Sequence, residues 1–164
     1  MPVLALTAVW VILDQLLKSY VVANVPFNSL RAVVPGLLDL THLENTGAAW
    51  SLFSGSALPL GILRGAVGIA IVYYLVTRSR SLPGMQRLAL ALIAGGAFGN
   101  SIDGLVRGHV VDMLVLHPLN WVYRPLFGSI YPPFNLADVG IVSGVILLLV
   151  SGLLPQRKAG GIRV

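Results

Sequence analysis

Two aspartates that stand in apolar sequence are the residues of this chain best suited to chemistry. Asp112 lies between apolar pairs in VVDML, and Asp138 heads a long apolar run in FNLAD. Two carboxyls that meet away from water do not easily ionise together, so one keeps a proton while the other stays charged. If they meet across the fold, Asp112 and Asp138 form a pair in which one activates a water molecule and the other hydrogen-bonds a carbonyl under attack.

A simpler interpretation is open for Asp138. Asn135 lies three residues earlier, and an Asn N-cap followed by an acid in the first turn is favourable at any helix start. The spacing alone does not establish that the two aspartates meet, so both interpretations stand.

Other polar residues interrupt or closely follow apolar runs. Polar groups at membrane depth are expensive and mark functional sites by default. Asp14 and Lys18 are spaced i,i+4 and can pair on one helix face; the alternative is a lysine that extends to the interface beside a local partner. His109 precedes Asp112 by a spacing that would suit a metal pair, but no third ligand is apparent. We therefore expect no metal site and no cofactor.

Composition indicates a membrane protein. The 164 residues are 56% hydrophobic and only 10% charged, with a mean hydropathy of +0.85, whereas about a quarter of the residues in a soluble domain are charged. The formal charge of +5 indicates basic residues in loops that face anionic lipid. No nucleic-acid partner is expected. The absence of cysteine excludes a thiolate nucleophile.

Apolar runs of about the length that crosses a bilayer predict a mainly α integral membrane protein with four transmembrane helices. Between the first two runs, breaks in helical periodicity and alternating residues predict a small antiparallel sheet, or β-cradle, outside the hydrocarbon. Prolines and aromatics in the longest later gap predict an extracytoplasmic loop or helix. We expect one domain, 1–164, with spans at about 3–22, 58–77, 86–103 and 134–154, the β-cradle at about 30–55 and the loop at about 104–133.

Basic residues predict the orientation. Arg78, Arg80 and Arg87 lie in the middle loop, and further basic residues follow the last run. The positive-inside rule then places this loop and both termini in the cytoplasm and the aspartates towards the outer face. Arg64, early in the second run, is expected to extend outward to the interface.

Five motifs in order make the chain similar to the lipoprotein signal peptidases, the bacterial type II signal peptidase family, over essentially its whole length. They are Asp14-Gln15 with Lys18, ENTGAAWS (44–51), GGAFGNSID (95–103), GHVVDML (108–114) and FNLAD (134–138). The family consists of integral membrane aspartyl proteases of the bacterial cytoplasmic (inner) membrane. They cleave signal peptides from prolipoproteins just before a cysteine that carries diacylglycerol.

The resemblance implies that Asp112 and Asp138 are the catalytic dyad, at the outer face of the membrane. It implies prolipoprotein and membrane lipid as partners, and we expect a monomer. Asn45 and Asn100 are expected to hydrogen-bond the substrate backbone, although asparagines in such positions more often serve as caps. Residues that match the family around the site are Asp14, Lys18, Asn45, Gly47, Asn100, Asp103 and Asn135.

One position departs from the family. Its pattern reads Asn-x-x-Asp-Arg, but here Gly104 follows Asp103. Arg107 lies one helical turn later, and we expect it to supply the displaced guanidinium and pair with Asp103 at i,i+4. The alternative is that Arg107 is an ordinary interfacial arginine.

Two functions of other classes are alternatives. A small proton-coupled transporter would use membrane acids as a relay, but the polar residues gather near one face and no matching pair of broken helices is visible. A structural membrane subunit would use the acids only to pair with arginines. Neither would cleave a lipidated substrate.

Overall fold

Four long helices and a small sheet make up the computed structural model, which describes residues 2–47 and 55–153. The helices are α1 (Pro2–Asn24), α2 (Ala57–Arg78), α3 (Gly84–Val106) and α5 (Leu136–Leu153), with a short helix α4 (Leu119–Phe127) and a 3₁₀ turn, Ser79–Ser81. All four long helices are long and apolar enough to cross a membrane. The mainly helical membrane fold expected from the sequence is confirmed. Residues 48–54 of the expected β-cradle and the basic tail, 154–164, lie outside the described residues.

Helix α3 is the centre of the bundle and packs against α1, α2 and α5. Glycines make these contacts close. A Cβ placed on Gly96 would lie 2.2 Å from the carbonyl oxygen of Ala137 in α5, and one on Gly99 would lie 2.6 Å from Oδ2 of Asp14 in α1. Small residues are what allow helix backbones to approach in lipid. The close approach brings polar groups of three helices to one place.

The sheet has three antiparallel strands in the order β1 (Leu30–Val34), β2 (Leu38–Asn45) and β3 (Val110–Leu116). The sequence placed the cradle at about 30–55, and its third strand comes from outside that range, at Val110–Leu116, where the sequence VVDMLVL has strand character. β2 pairs with β3 so that Leu43 stands opposite Asp112 and Asn45 opposite Val110. Hydrophobic side chains on β3, including Val111 and Met113, are fully buried, and this burial holds the strand against the helices.

The ends of α3 and α5 differ from the expected limits. α3 continues to Val106 rather than ending at Asp103, because the next residue with positive φ is Gly108 (φ 73°). α5 begins at Leu136, since Phe134 forms an isolated bridge with Leu114 of β3 before the helix starts. That bridge fixes the entry of α5 beside β3.

Helix α4 lies between β3 and α5. It contains Pro125, and Gly128 at its C-terminal end has a φ of 72°, in the left-handed region. The side chains of Trp121, Leu126 and Phe127 are each at least 65% exposed. Exposed aromatic and aliphatic side chains on a short amphipathic helix suit the interfacial region of a bilayer.

Candidate active site

Asp112 is a buried carboxyl at the middle of strand β3. It is 8% exposed, and two asparagine amides bind it. Nδ2 of Asn45 lies 3.0 Å from Oδ2, and Nδ2 of Asn135 lies 2.8 Å from Oδ1. The pKa of Asp112 is raised to about 6, chiefly by burial and in part by the charge of Asp138, while the hydrogen bonds from the two amides act in the opposite direction.

Asp138 lies in the first turn of α5 and exchanges hydrogen bonds with Asn135. The backbone N–H of Asp138 donates to Oδ1 of Asn135 at 2.9 Å, and the backbone N–H of Asn135 donates to Oδ2 of Asp138 at 3.2 Å. This is a capping-box arrangement, so the helix-cap interpretation of these two residues holds. Asn100 of α3 also donates to Oδ1 of Asp138, at 2.8 Å.

Both aspartates line one cavity of about 560 Å³. The cavity lies where α2 and α5 begin, α3 ends and the sheet approaches. Two carboxyls in one cavity, one with a raised pKa, can act as acid and base on the same bound molecule. Its other lining residues include Asn45, Arg64, Asn100 and Asn135, with apolar Leu43, Val110, Phe134, Ile141 and Val142.

A fully buried ion cluster lies behind Asn100. Nζ of Lys18 lies 2.9 Å from Oδ2 of Asp14 and 2.9 Å from Oδ2 of Asp103, and all three side chains are 0% exposed. The expected i,i+4 pair of Asp14 and Lys18 is therefore present, and Lys18 does not extend to the interface. Lys18 also donates to Oδ1 of Asn100 at 3.0 Å. This contact orients the amide of Asn100 so that its Nδ2 faces Asp138.

Arg107 completes the cluster from the end of α3. It forms the expected i,i+4 ion pair with Oδ1 of Asp103, and it donates to Oε1 of Gln15 at 3.0 Å. The other oxygen of Asp103 accepts the backbone N–H of Val111 at 3.1 Å. Asp103 thus connects Arg107 to the strand residue that precedes Asp112.

Gly47 follows strand β2 and supports Asn45. Its backbone N–H donates to Oδ1 of Asn45 at 3.0 Å, which turns the Nδ2 of Asn45 towards Asp112. Asn45 and Asn100, expected to bind substrate, thus each direct an N–H at one of the two aspartates.

The sequence interpretation was wrong for Arg64. This side chain turns inward, lines the cavity with both aspartates, and donates from Nη2 to the carbonyl oxygen of Gly47 at 3.3 Å. Arg64 was missed as a site residue because a charge near the end of an apolar run also fits interfacial placement. Gln15 was missed as well: its Nε2 donates to the carbonyl oxygen of Gly99 at 3.0 Å and to Asp103 at 3.2 Å.

His109 lies beside Glu44, with 3.6 Å between Nε2 and Oε1. Within residues 2–47 and 55–153, no group of three or more His, Asp or Glu is arranged to hold a metal ion.

The four apolar helices and the polar cavity at one end of them define a polytopic membrane protein with a partly enclosed polar site. The chain belongs to the signal peptidase II family: the sequence profile described as signal peptidase (SPase) II matches residues 6–154. A lipoprotein signal peptidase of Deinococcus radiodurans is 46% identical over 154 residues, covering 93% of this chain and 80% of that protein. One of Latilactobacillus sakei is 36% identical over 144 residues, covering 88% of each chain.

Solved structures agree with this assignment. A bacterial membrane enzyme determined at 2.3 Å superposes with a TM-score of 0.80 at 29% identity, covering 99% of this chain and 94% of the other. A second, at 1.9 Å, has a TM-score of 0.76 at 30% identity and covers 96% and 94%. The fold is therefore shared along nearly the whole chain.

Proposed function

We propose that this protein is a membrane aspartic endopeptidase that removes the signal peptide from prolipoproteins. The substrate carries diacylglyceryl-cysteine, and cleavage falls just before that cysteine. Membership of the signal peptidase II family and the relatives named lipoprotein signal peptidase support the substrate class. The observation that carries the catalytic assignment is that Asp112 and Asp138 line the same cavity, each held by asparagine amides.

The two aspartates have different roles in the proposed mechanism. Asp138 lies in the first turn of α5 and accepts a hydrogen bond from Nδ2 of Asn100, and it serves as the base that takes a proton from water. Asp112, whose pKa is raised to about 6, carries the shared proton and donates it to the scissile carbonyl oxygen. Water attacks the carbonyl carbon as it loses a proton to Asp138. The C–N bond then breaks as Asp138 passes that proton to the leaving amine and Asp112 takes its own back from a hydroxyl of the intermediate.

The position of the cavity suits a lipid-anchored peptide. Acyl chains hold the lipidated cysteine near the membrane surface, and the cavity opens where helices meet the sheet. Ile141 and Val142 of α5 provide apolar lining next to Asp138. The arginines near the connection between α2 and α3 support an orientation in which that connection is cytoplasmic and the cavity lies at the outer face of the cytoplasmic membrane.

Cleavage of a lipidated prolipoprotein in membranes containing the purified protein tests the proposal. The wild-type chain should release a shortened product, whereas Asp112→Asn and Asp138→Asn should lower the rate by at least about 1000-fold, since the general acid or base is lost. Asp39→Asn is the matched control, because Asp39 pairs with His117 on the sheet, outside the cavity. A transporter or scaffold would give no product in any sample, and wild-type rates in either dyad variant would refute the assignment.

A further inference from the structure

Arg64 is a cation within a membrane-length helix. It lies about 10 Å along α2 from the first residue, Ala57, at 1.5 Å per residue. A Cβ on Gly61 would lie 3.2 Å from backbone carbon of Gly104 in α3, and one on Gly65 would lie 2.8 Å from Oγ of Ser101. This close approach holds α2 against α3 and places the guanidinium at the cavity rather than in lipid.

The guanidinium has an unused donor. Nη2 contacts Gly47 at 3.3 Å, but Nη1 is fully buried and has no hydrogen-bond partner. Within the described part of the chain, the other buried side-chain atoms without partners are His42 Nε2 and Arg87 Nε, and neither residue lines the cavity. An unpaired buried donor is unfavourable, and more so when it is charged. Nη1 of Arg64 therefore lacks an acceptor in this structure.

The aspartates do not supply that acceptor in this structure, because Nη1 of Arg64 forms no hydrogen bond with either of them. Asp112 accepts from Asn45 and Asn135, and Asp138 accepts from Asn100 and the backbone of Asn135. Among the described residues that line the cavity, Arg64 is also the sole cation. An acceptor on a molecule bound in the cavity would satisfy this donor.

We propose that Arg64 is a substrate-binding residue whose Nη1 donates to a carbonyl oxygen of the substrate. This inference rests on the proposed function, in which the bound molecule is a lipidated peptide. Such a substrate offers two kinds of carbonyl oxygen, those of the peptide backbone and those of the diacylglyceryl esters. Arg64 is tethered through Gly47 to the end of β2, next to Asn45, so the same contact also positions the sheet edge beside the substrate.

Steady-state kinetics and binding with a diacylglyceryl-cysteine peptide in detergent micelles test the inference. Arg64→Gln should raise KM by about 10- to 100-fold while kcat changes less than about threefold, because a ground-state contact worth about 1.5–3 kcal/mol is lost. Arg64→Lys should fall between the wild type and Arg64→Gln. The control is Arg31→Gln on the exposed strand β1, which should leave KM unchanged.

Binding measured in an Asp138→Asn background separates contact from catalysis. There, Arg64→Gln should weaken the Kd for the same peptide by a similar factor, with the melting temperature kept. An ether-linked dialkyl substrate distinguishes the two kinds of carbonyl: loss of the Arg64 effect assigns the ester carbonyl, and persistence assigns the peptide carbonyl.

Unchanged KM and Kd in Arg64→Gln and Arg64→Lys, while the wild type cleaves, would overturn this inference alone. A fall in kcat and melting temperature without a change in Kd would make Arg64 a structural residue and overturn it too. Absence of cleavage by the wild type would instead reject the proposed function.

Discussion

Asn135 binds Asp112 through its side chain, with 2.8 Å between Nδ2 and Oδ1. The same asparagine caps α5 and exchanges two hydrogen bonds with Asp138. One residue therefore sets the position of both carboxyls relative to each other, and it is 0% exposed.

Asn135→Ala should lower the cleavage rate by about 10- to 100-fold. It removes a hydrogen bond to a titrating carboxyl, worth about 1.5–3 kcal/mol, and a helix cap worth about 1 kcal/mol of stability. Cleavage assays and thermal denaturation in detergent measure both effects. The control is Asn24→Ala, since the exposed Asn24 amide binds only its own helix, at the carbonyl of Tyr20. Equal rates in the two variants would contradict the bridging role.

Asp112→Asn should be more stable than the wild type above pH 6. The pKa of Asp112 is 3.8 in its ordinary state and about 6 in the folded protein, so the folded state binds more protons between these values. The contribution of Asp112 to the free energy of unfolding is therefore highest below pH 3.8 and is lost as the pH rises through about 6. This loss amounts to about 3 kcal/mol. Between pH 4 and pH 8, the melting temperature of the variant should rise relative to that of the wild type. A difference that does not change with pH would contradict the raised pKa.

Lys18→Met should destabilise the protein by about 3–5 kcal/mol, because it leaves Asp14 charged and buried without its cation. Adding Asp14→Asn to Lys18→Met should recover part of the lost stability, because no unpaired charge then remains at position 14. Chemical denaturation in detergent measures these changes. Arg31→Met, on exposed β1, serves as the control. A Lys18→Met protein as stable as this control would rule out a structural role for the ion cluster.

Arg107→Ala should reduce cleavage by about tenfold, whereas Arg124→Ala should not. Arg107 binds Asp103 and Gln15, and Asp103 in turn holds the backbone of Val111 beside Asp112. Loss of the guanidinium loosens that connection by about 1 kcal/mol or somewhat more. Arg124 is exposed on α4. If cleavage by the two variants is equal, Arg107 is an ordinary interfacial arginine.

Gly96→Ala should disrupt the contact between α3 and α5. The new Cβ would lie 2.2 Å from the carbonyl oxygen of Ala137, so the helices must separate at a cost of at least about 1–3 kcal/mol. Asp138 lies next to Ala137, so activity should fall with stability. Gly152→Ala is the matched control, because nothing lies within 4 Å of its added Cβ. Similar melting temperatures for the two variants would argue against close packing there.

Residues that interact along one helix were predictable from the sequence. The pairs Asp14 with Lys18 and Asp103 with Arg107 follow from i,i+4 spacing, and both form. The four apolar runs likewise indicated the four long helices, because hydrophobic length is a strong local signal.

Contacts between distant segments were not predictable in the same way. The direction of Arg64 depends on the packing of α2 against α3 and on its contact with Gly47, and these partners lie outside its own helix. The side of the sheet that Asp112 faces depends on strand register, and β2 and β3 shift register between Leu40 and Leu43. The order of strands also depends on β3, which joins the sheet from a separate segment.

The ion cluster has a consequence for how the chain enters the bilayer. α1 contributes Asp14 with Lys18, and α3 contributes Asp103 with Arg107. Each helix thus carries a counterion for its own buried aspartate before the other helix arrives. Only when the two helices associate does Lys18 also engage Asp103, so this shared lysine couples insertion of separate helices to assembly of the finished bundle.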